Sequence, residues 1–172
     1  EGSGSTDMPT DQSVSRFGHL LQRIESGAEY GYSLYLDNES RFDEMPVRHM
    51  SALTSRILSS IDYATVARIR NENFSILHDA LSEMNMLQFN RHEGDVPMAY
   101  PLLLEKGADL RSYLIEHRIY VPLYWKNVLE QSPEKGWEHF LAKNLVALPL
   151  DQRYGASEME QILQTIEKFM YG

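Results

Sequence analysis

The chain is 172 residues long, 42% hydrophobic and 24% charged, with a formal net charge of −9 and no cysteine. That composition suits one globular domain, or one domain with an appendage. The acidic balance argues against a nucleic-acid partner, which needs a basic footprint; the missing cysteines exclude disulfides, thiolate nucleophiles and cysteine zinc sites; and no apolar run approaches the roughly 20 residues of a membrane span. A cytoplasmic protein fits these bounds. The opening "EGSGST" has no initiating Met, as expected of a tag scar, a processed chain or a fragment of something longer.

Residues 1–12 are polar and rich in Gly, Ser, Thr and Asp, and read as a flexible lead-in. From Ser13 to about Leu36, Val14, Phe17, Leu20, Leu21, Ile24 and Ala28 recur at helical spacing. Ser13 is the expected N-cap, and Gly27 and Gly31 weaken the second half. Residues 36–47 read as a loop closing at Pro46. Residues 50–60 and 62–84 are helical by pattern, with Asp62 capping the second. Its stripe of Val66, Ile69, Leu77, Ala80, Leu81 and Met84 has the spacing of one buried face, interrupted at Asn73 beside Phe74.

After Met84 the pattern shortens. "MLQF" (86–89), "VPMAYPLLL" (96–104), "RIYV" (118–121) and "LVALPL" (145–150) read as strands or extended runs. Residues 91–95 read as a turn. Helices are expected from Asp109 to about His117, across "SPEKGWEHFLAKN", and from Ser157, where Ser157 and Glu160 have capping-box spacing. The expected fold class is α+β: a helical N-terminal half leading into a small, mostly antiparallel sheet covered by helices.

The candidate chemistry is sparse. His19, His49, His78, His92, His117 and His139 form no metal-ligand spacing, and each reads as a surface or satisfied histidine. There is no nucleophile elbow and no phosphate-cradling Gly-rich loop. A Schiff-base lysine needs a desolvated pocket. Lys106, Lys135, Lys143 and Lys168 stand in polar loops or at helix ends, and only Lys126 sits among aromatic residues. Its segment, "RIYVPLYWKNV" (118–128), joins six β-forming residues to a central Pro122 and a polar Lys-Asn pair. It reads as a short strand running into an amphipathic loop.

Three collinear segments carry a resemblance. "MSALTSRILSSIDYATVARIRNENFSILHDAL" (50–81) contains an Arg-x-x-Asn-[Tyr/Phe]-x-x-Leu pattern at Arg70, Asn73, Phe74 and Leu77. It is followed by "VPMAYPLLLEKGADLRSYLIEHRIYVPLYWKNV" (96–128) and "NLVALPLDQRYGASEMEQILQTI" (144–166). In order and spacing these resemble the C-terminal part of the DegT/DnrJ/StrS family of sugar aminotransferases, which are fold-type-I pyridoxal-phosphate enzymes. The resemblance implies that residues 13–47 are a helical segment from the end of a large domain and that 48–172 form the small C-terminal domain. It implies a homodimer that moves an amino group from an amino-acid donor to a keto sugar, commonly nucleotide-linked, in cell-surface polysaccharide or related biosynthesis. The family's Schiff-base lysine lies in the N-terminal large domain, so no catalytic residue is expected in this chain.

By the same resemblance Tyr124, Trp125, Lys126 and Asn127 face the substrate. Arg48 and His49 are the candidates for the cofactor phosphate. Three positions depart from the family pattern: Val47 stands where the phosphate-binding Asn belongs, His49 where an Arg belongs, and Arg118 replaces the glycine of the "Gly-Ile" turn. These departures and the missing lysine motivate the alternative expectation, a non-catalytic homologue acting as a dimerisation or binding module. No metal ligand set is expected.

Overall fold

The structure, a computed structural model, describes residues 8–27 and 29–172. Most of the lead-in (residues 1–7) and Ala28 of the first apolar stripe lie outside the described residues. The chain divides into two compact units, Glu1–Ile61 and Asp62–Gly172. Among the described residues no helix is long and apolar enough to cross a membrane.

The first unit is helical. A 3-10 turn at Val14–Arg16 precedes helices α1 (Gly18–Ser26), α2 (Tyr32–Ser40) and α3 (Ala52–Ser59). The continuous helix expected up to Leu36 is two helices, because Gly27 takes a left-handed φ of 101° that ends α1. The second helix then runs on through Ser40, into the segment expected as a loop. Ser13 makes no cap bond. Its hydroxyl instead lies 2.5 Å from that of Ser51 and accepts from Thr54 Oγ1, a buried polar cluster. Ser51 is the cap, accepting from the Thr54 N–H at 3.1 Å to start α3. A parallel bridge pairs Thr10 with His49. The apolar residues Leu21 and Ile24 of α1 and Val47 of the following segment are exposed.

The second unit holds the hydrophobic core. It opens on α4 (Tyr63–Leu81), whose first turn is capped as expected: Asp62 Oδ1 accepts from the Thr65 N–H at 3.1 Å. The helix buries Asn73, Phe74, Leu77 and Leu81. Strands β1 (Ala99–Leu103) and β2 (Leu145–Pro149) pair antiparallel, with Tyr100 opposite Leu148 and Leu102 opposite Val146. All four of those side chains are fully buried. Between the strands lie α5 (Gly107–Glu116), α6 (Lys126–Gln131) and α7 (Trp137–Asn144), and α8 (Ala156–Tyr171) closes the chain. Helix α4 packs on β1 and α8, and α5 packs on β2, α7 and α8. The fold is α+β, with a smaller sheet than the sequence suggested.

Two expected strands are absent. Residues 86–89 make no ladder because the side chain of Asn85 occupies the edge of β1 that they would pair with. Its Oδ1 accepts from the N–H groups of Leu103 and Leu87 at 3.0 Å, and its Nδ2 donates to Pro101 O at 2.8 Å. One backbone bond, Met86 N–H to Leu103 O, completes the edge. Residues 118–121 also join no ladder. Their first two amides are committed to closing α5, and Pro122 has no N–H to offer a ladder.

Three helix starts also differ. Helix α5 begins at Gly107, with Asp109 inside its first turn, favourable to the helix dipole. The start is pinned by α7: Asn144 Oδ1 accepts from the Ala108 N–H, and a Cβ on Gly107 would lie 1.8 Å from Asn144 O. Only glycine permits that approach. Helix α7 begins at Trp137, since Pro133 and Gly136 close a turn ahead of it. Helix α8 begins one residue before Ser157, with Gly155 as N-cap. The reciprocal carboxylate is that of Glu158, which accepts from the Gly155 N–H at 2.8 Å. That bond holds the Glu158 carboxyl below its usual pKa. Ser157 and Glu160 are not the capping pair.

Chemical denaturation separates these roles. Asn85→Ala leaves the buried Leu103 N–H without its partner and is expected to cost ~1–3 kcal/mol. Ile166→Ala, on the fully buried face of α8, is expected to cost ~2–5 kcal/mol. Ser157→Ala is expected to stay within ~0.5 kcal/mol of the parent. A loss at Ser157 as large as that at Asn85 would return the cap to Ser157.

Candidate functional site

The aromatic loop is built outward from the end of α5. The Arg118 N–H reaches Ile115 O at 2.9 Å and the Ile119 N–H reaches Leu114 O at 2.8 Å, the two bonds of a Schellman motif. The residue at the turn of such a motif is usually glycine in the left-handed region. Here it is Arg118, at φ 62°. Ile119 packs against the core and Val121 is buried, which anchors the near end of the loop.

Beyond Pro122 the chain turns outward. Leu123, Tyr124, Trp125, Lys126 and Asn127 are all exposed, Trp125 at 57%. Trp125 has φ 53° and ψ 42°, a second left-handed residue, and its carbonyl accepts from the Val128 N–H as α6 begins. The Tyr124 and Trp125 rings contact each other at 5.6 Å and 56°. An exposed Trp held in a strained backbone region, next to a Tyr, offers apolar faces with polar edges. Lys126 and Asn127 place an ammonium and an amide at the same end. The four substrate candidates therefore form one contiguous exposed patch.

Arg48 and His49 lie in the first unit. The backbone of His49 is tied to residues 9–11 on both its N–H and C=O sides. Arg48 Nη1 stands 3.7 Å from Asp11 Oδ1, while the other oxygen of that carboxylate bonds Arg16. The Arg48 charge thus already faces an acid. The phosphate candidates and the substrate candidates fall in separate compact units.

The three segments that carry the resemblance meet within the second unit. Arg70 on α4 donates from Nη1 to Pro97 O at 3.1 Å and from Nε to Gln152 Oε1 at 3.0 Å. Three residues further along, Asn73 Nδ2 donates to Leu150 O at 3.1 Å and Tyr154 O at 3.0 Å. Asp151, between them, accepts from the Arg153 backbone and guanidinium. Those Arg153 bonds hold the Asp151 carboxyl below its usual range.

Sequence reasoning passed over a second cluster, around His78 and Arg91. Phe74 and His78, four apart on α4, stack at 5.5 Å, and the Arg91 guanidinium lies 4.3 Å from the Phe74 ring centroid. The available signal was the Phe-x-x-x-His spacing on one helix face. It is obscured because residues 86–89 read as a strand and His78 stands alone in sequence.

Arg118→Gly tests the strained turn. Glycine removes the left-handed penalty but adds unfolded-state freedom, so a gain of up to ~1 kcal/mol in denaturant titration is expected. A loss of stability would mean that the Arg118 side chain contributes more than its backbone costs.

Compared with known proteins, the chain matches no family model, and neither a curated sequence nor a solved structure is significantly similar to it.

Proposed function

We propose that this chain is the small-domain end of a pyridoxal-phosphate-dependent aminotransferase-like protein that acts on a keto sugar, commonly nucleotide-linked, as a homodimer. The observation that carries the reading is the junction at Arg70 and Asn73. Residues that resemble one family in three separate stretches of sequence are hydrogen-bonded to one another. A second observation supports it: Arg118, aligned with the glycine of the family's "Gly-Ile" turn, has the backbone angle that favours glycine.

The residues of this chain do not by themselves fit the cofactor. A Schiff-base lysine is desolvated, whereas Lys106, Lys126, Lys135, Lys143 and Lys168 are all exposed. Arg48 is paired with Asp11, and Val47 cannot bond a phosphate. The reading therefore assigns the cofactor to the family's large domain and no chemical step to this chain. What the chain contributes is recognition. Trp125 and Tyr124 give a sugar ring an apolar face, and Lys126 and Asn127 meet its hydroxyls or a phosphate.

Amino transfer from glutamate to nucleotide-linked keto sugars, measured on the complete gene product, tests the proposal. Trp125→Ala in that protein is expected to raise KM roughly tenfold, with kcat and melting temperature little changed. Unchanged kinetics would make Trp125 a plain surface residue. Borohydride reduction in the presence of pyridoxal phosphate is expected to label the complete product once and this chain not stoichiometrically. A complete product that takes no label and transfers no amino group would leave the binding-module alternative standing.

A further inference from the structure

A cleft of about 300 Å³ opens in the second unit, away from the residues assigned to the sugar. One wall is α4, through Phe74, Ser75, His78 and Asp79; the other is the extended chain at Phe89, Asn90 and Arg91. The base is aromatic. Phe89 meets Phe74 edge-on at 5.9 Å and His78 at 5.9 Å, and Tyr100 lies beneath, fully buried.

The polar groups are held in place rather than merely gathered. Arg91 Nη2 donates to Asn71 Oδ1 and to Asp95 O, which fixes the guanidinium over Phe74. Its Nε and Nη1 bond to no described residue. His78 Nδ1 is 3.3 Å from the Tyr100 hydroxyl. Burial raises the Tyr100 pKa against an opposing hydrogen bond from Asn85, so the phenol is protonated at neutral pH. With the phenol as donor to Nδ1, the imidazole proton sits on Nε2. The cleft therefore presents an imidazole and a guanidinium beside aromatic rings. The carboxylate of Asp79 lines the same cleft and opposes a second negative charge there.

We propose that this cleft is a binding site for a singly charged aromatic carboxylate, its oxygens held by Arg91 and His78 Nε2 and its ring laid against Phe89. The imidazole fixes one oxygen, the guanidinium the other, and Asp79 discriminates against dianions. The site uses no residue of the aromatic loop and stands independently of the sugar reading.

The test is an NMR titration of the 172-residue chain, following the His78 ring resonances, with benzoate and phenyl phosphate as probes. Benzoate is expected to shift them saturably in the millimolar range and to bind more tightly than phenyl phosphate. Arg91→Gln removes a charge-assisted contact and is expected to weaken benzoate about tenfold or more. Exposed Asp79→Asn keeps the fold and is expected to improve phenyl phosphate selectively. No saturable shift with benzoate overturns the site. So does equal benzoate affinity in the parent and in an Arg91→Gln variant with an unchanged melting curve. Phenyl phosphate binding that ignores Asp79→Asn overturns the charge selection.

Discussion

One amide organises the second unit. Asn73, buried at 2% exposure in the middle of α4, donates to Leu150 O at the end of β2 and to Tyr154 O just before α8. Those carbonyls belong to a turn with no ladder or helix of its own to satisfy them, and a buried carbonyl left unpaired is costly. The amide therefore fixes where the strand stops and where the last helix starts relative to the longest helix. Arg70, one turn earlier, reaches Gln152 in the same turn and adds Pro97 just ahead of β1. Around these contacts the apolar residues Leu77, Tyr100, Leu148, Met159 and Ile166 close into a single cluster.

A polar residue on an apolar stripe is visible in sequence as an interruption, but its partner is not. Asn73 stood out between Ile69 and Leu77 as a flaw in the pattern; only the fold shows that it faces the core because two carbonyls wait there. The long helix, its Asp62 cap and both strands were legible because each depends on near neighbours: a periodic stripe, a side chain reaching its own first turn, an alternating apolar run. The failures were nonlocal. "MLQF" has strand composition, yet Asn85 occupies the edge it would join. "RIYV" has strand composition, yet its first amides are spent on the end of α5. At α8, Ser157 and Glu160 match the capping pattern, whereas Gly155 has no side-chain oxygen to announce it and only the Glu158 carboxylate marks the true start.

The candidate site shows the same division. The contiguous patch at Tyr124–Asn127 was legible because its residues are adjacent and Pro122 ends any strand before them. The turn that presents it was half legible. Arg118 was noted as an odd occupant of a glycine position, but the left-handed backbone behind that oddity belongs to the folded chain. The cleft between Phe74 and Arg91 was illegible, since its two walls are brought together by the path of residues 85–91, and 86–89 has the composition of a strand it does not form.

The way Asn85 closes β1 bears on how copies of this protein behave toward one another. A two-stranded sheet has open flanks on both sides, and a flat, open flank invites another chain to add itself as a strand. Here the outward-facing groups of Pro101 and Leu103 are taken by a side-chain amide and one backbone bond. Proline supplies no N–H at the remaining place. That stretch of the β1 flank is thus closed by a side chain, without a bulge or a row of lysines to guard it.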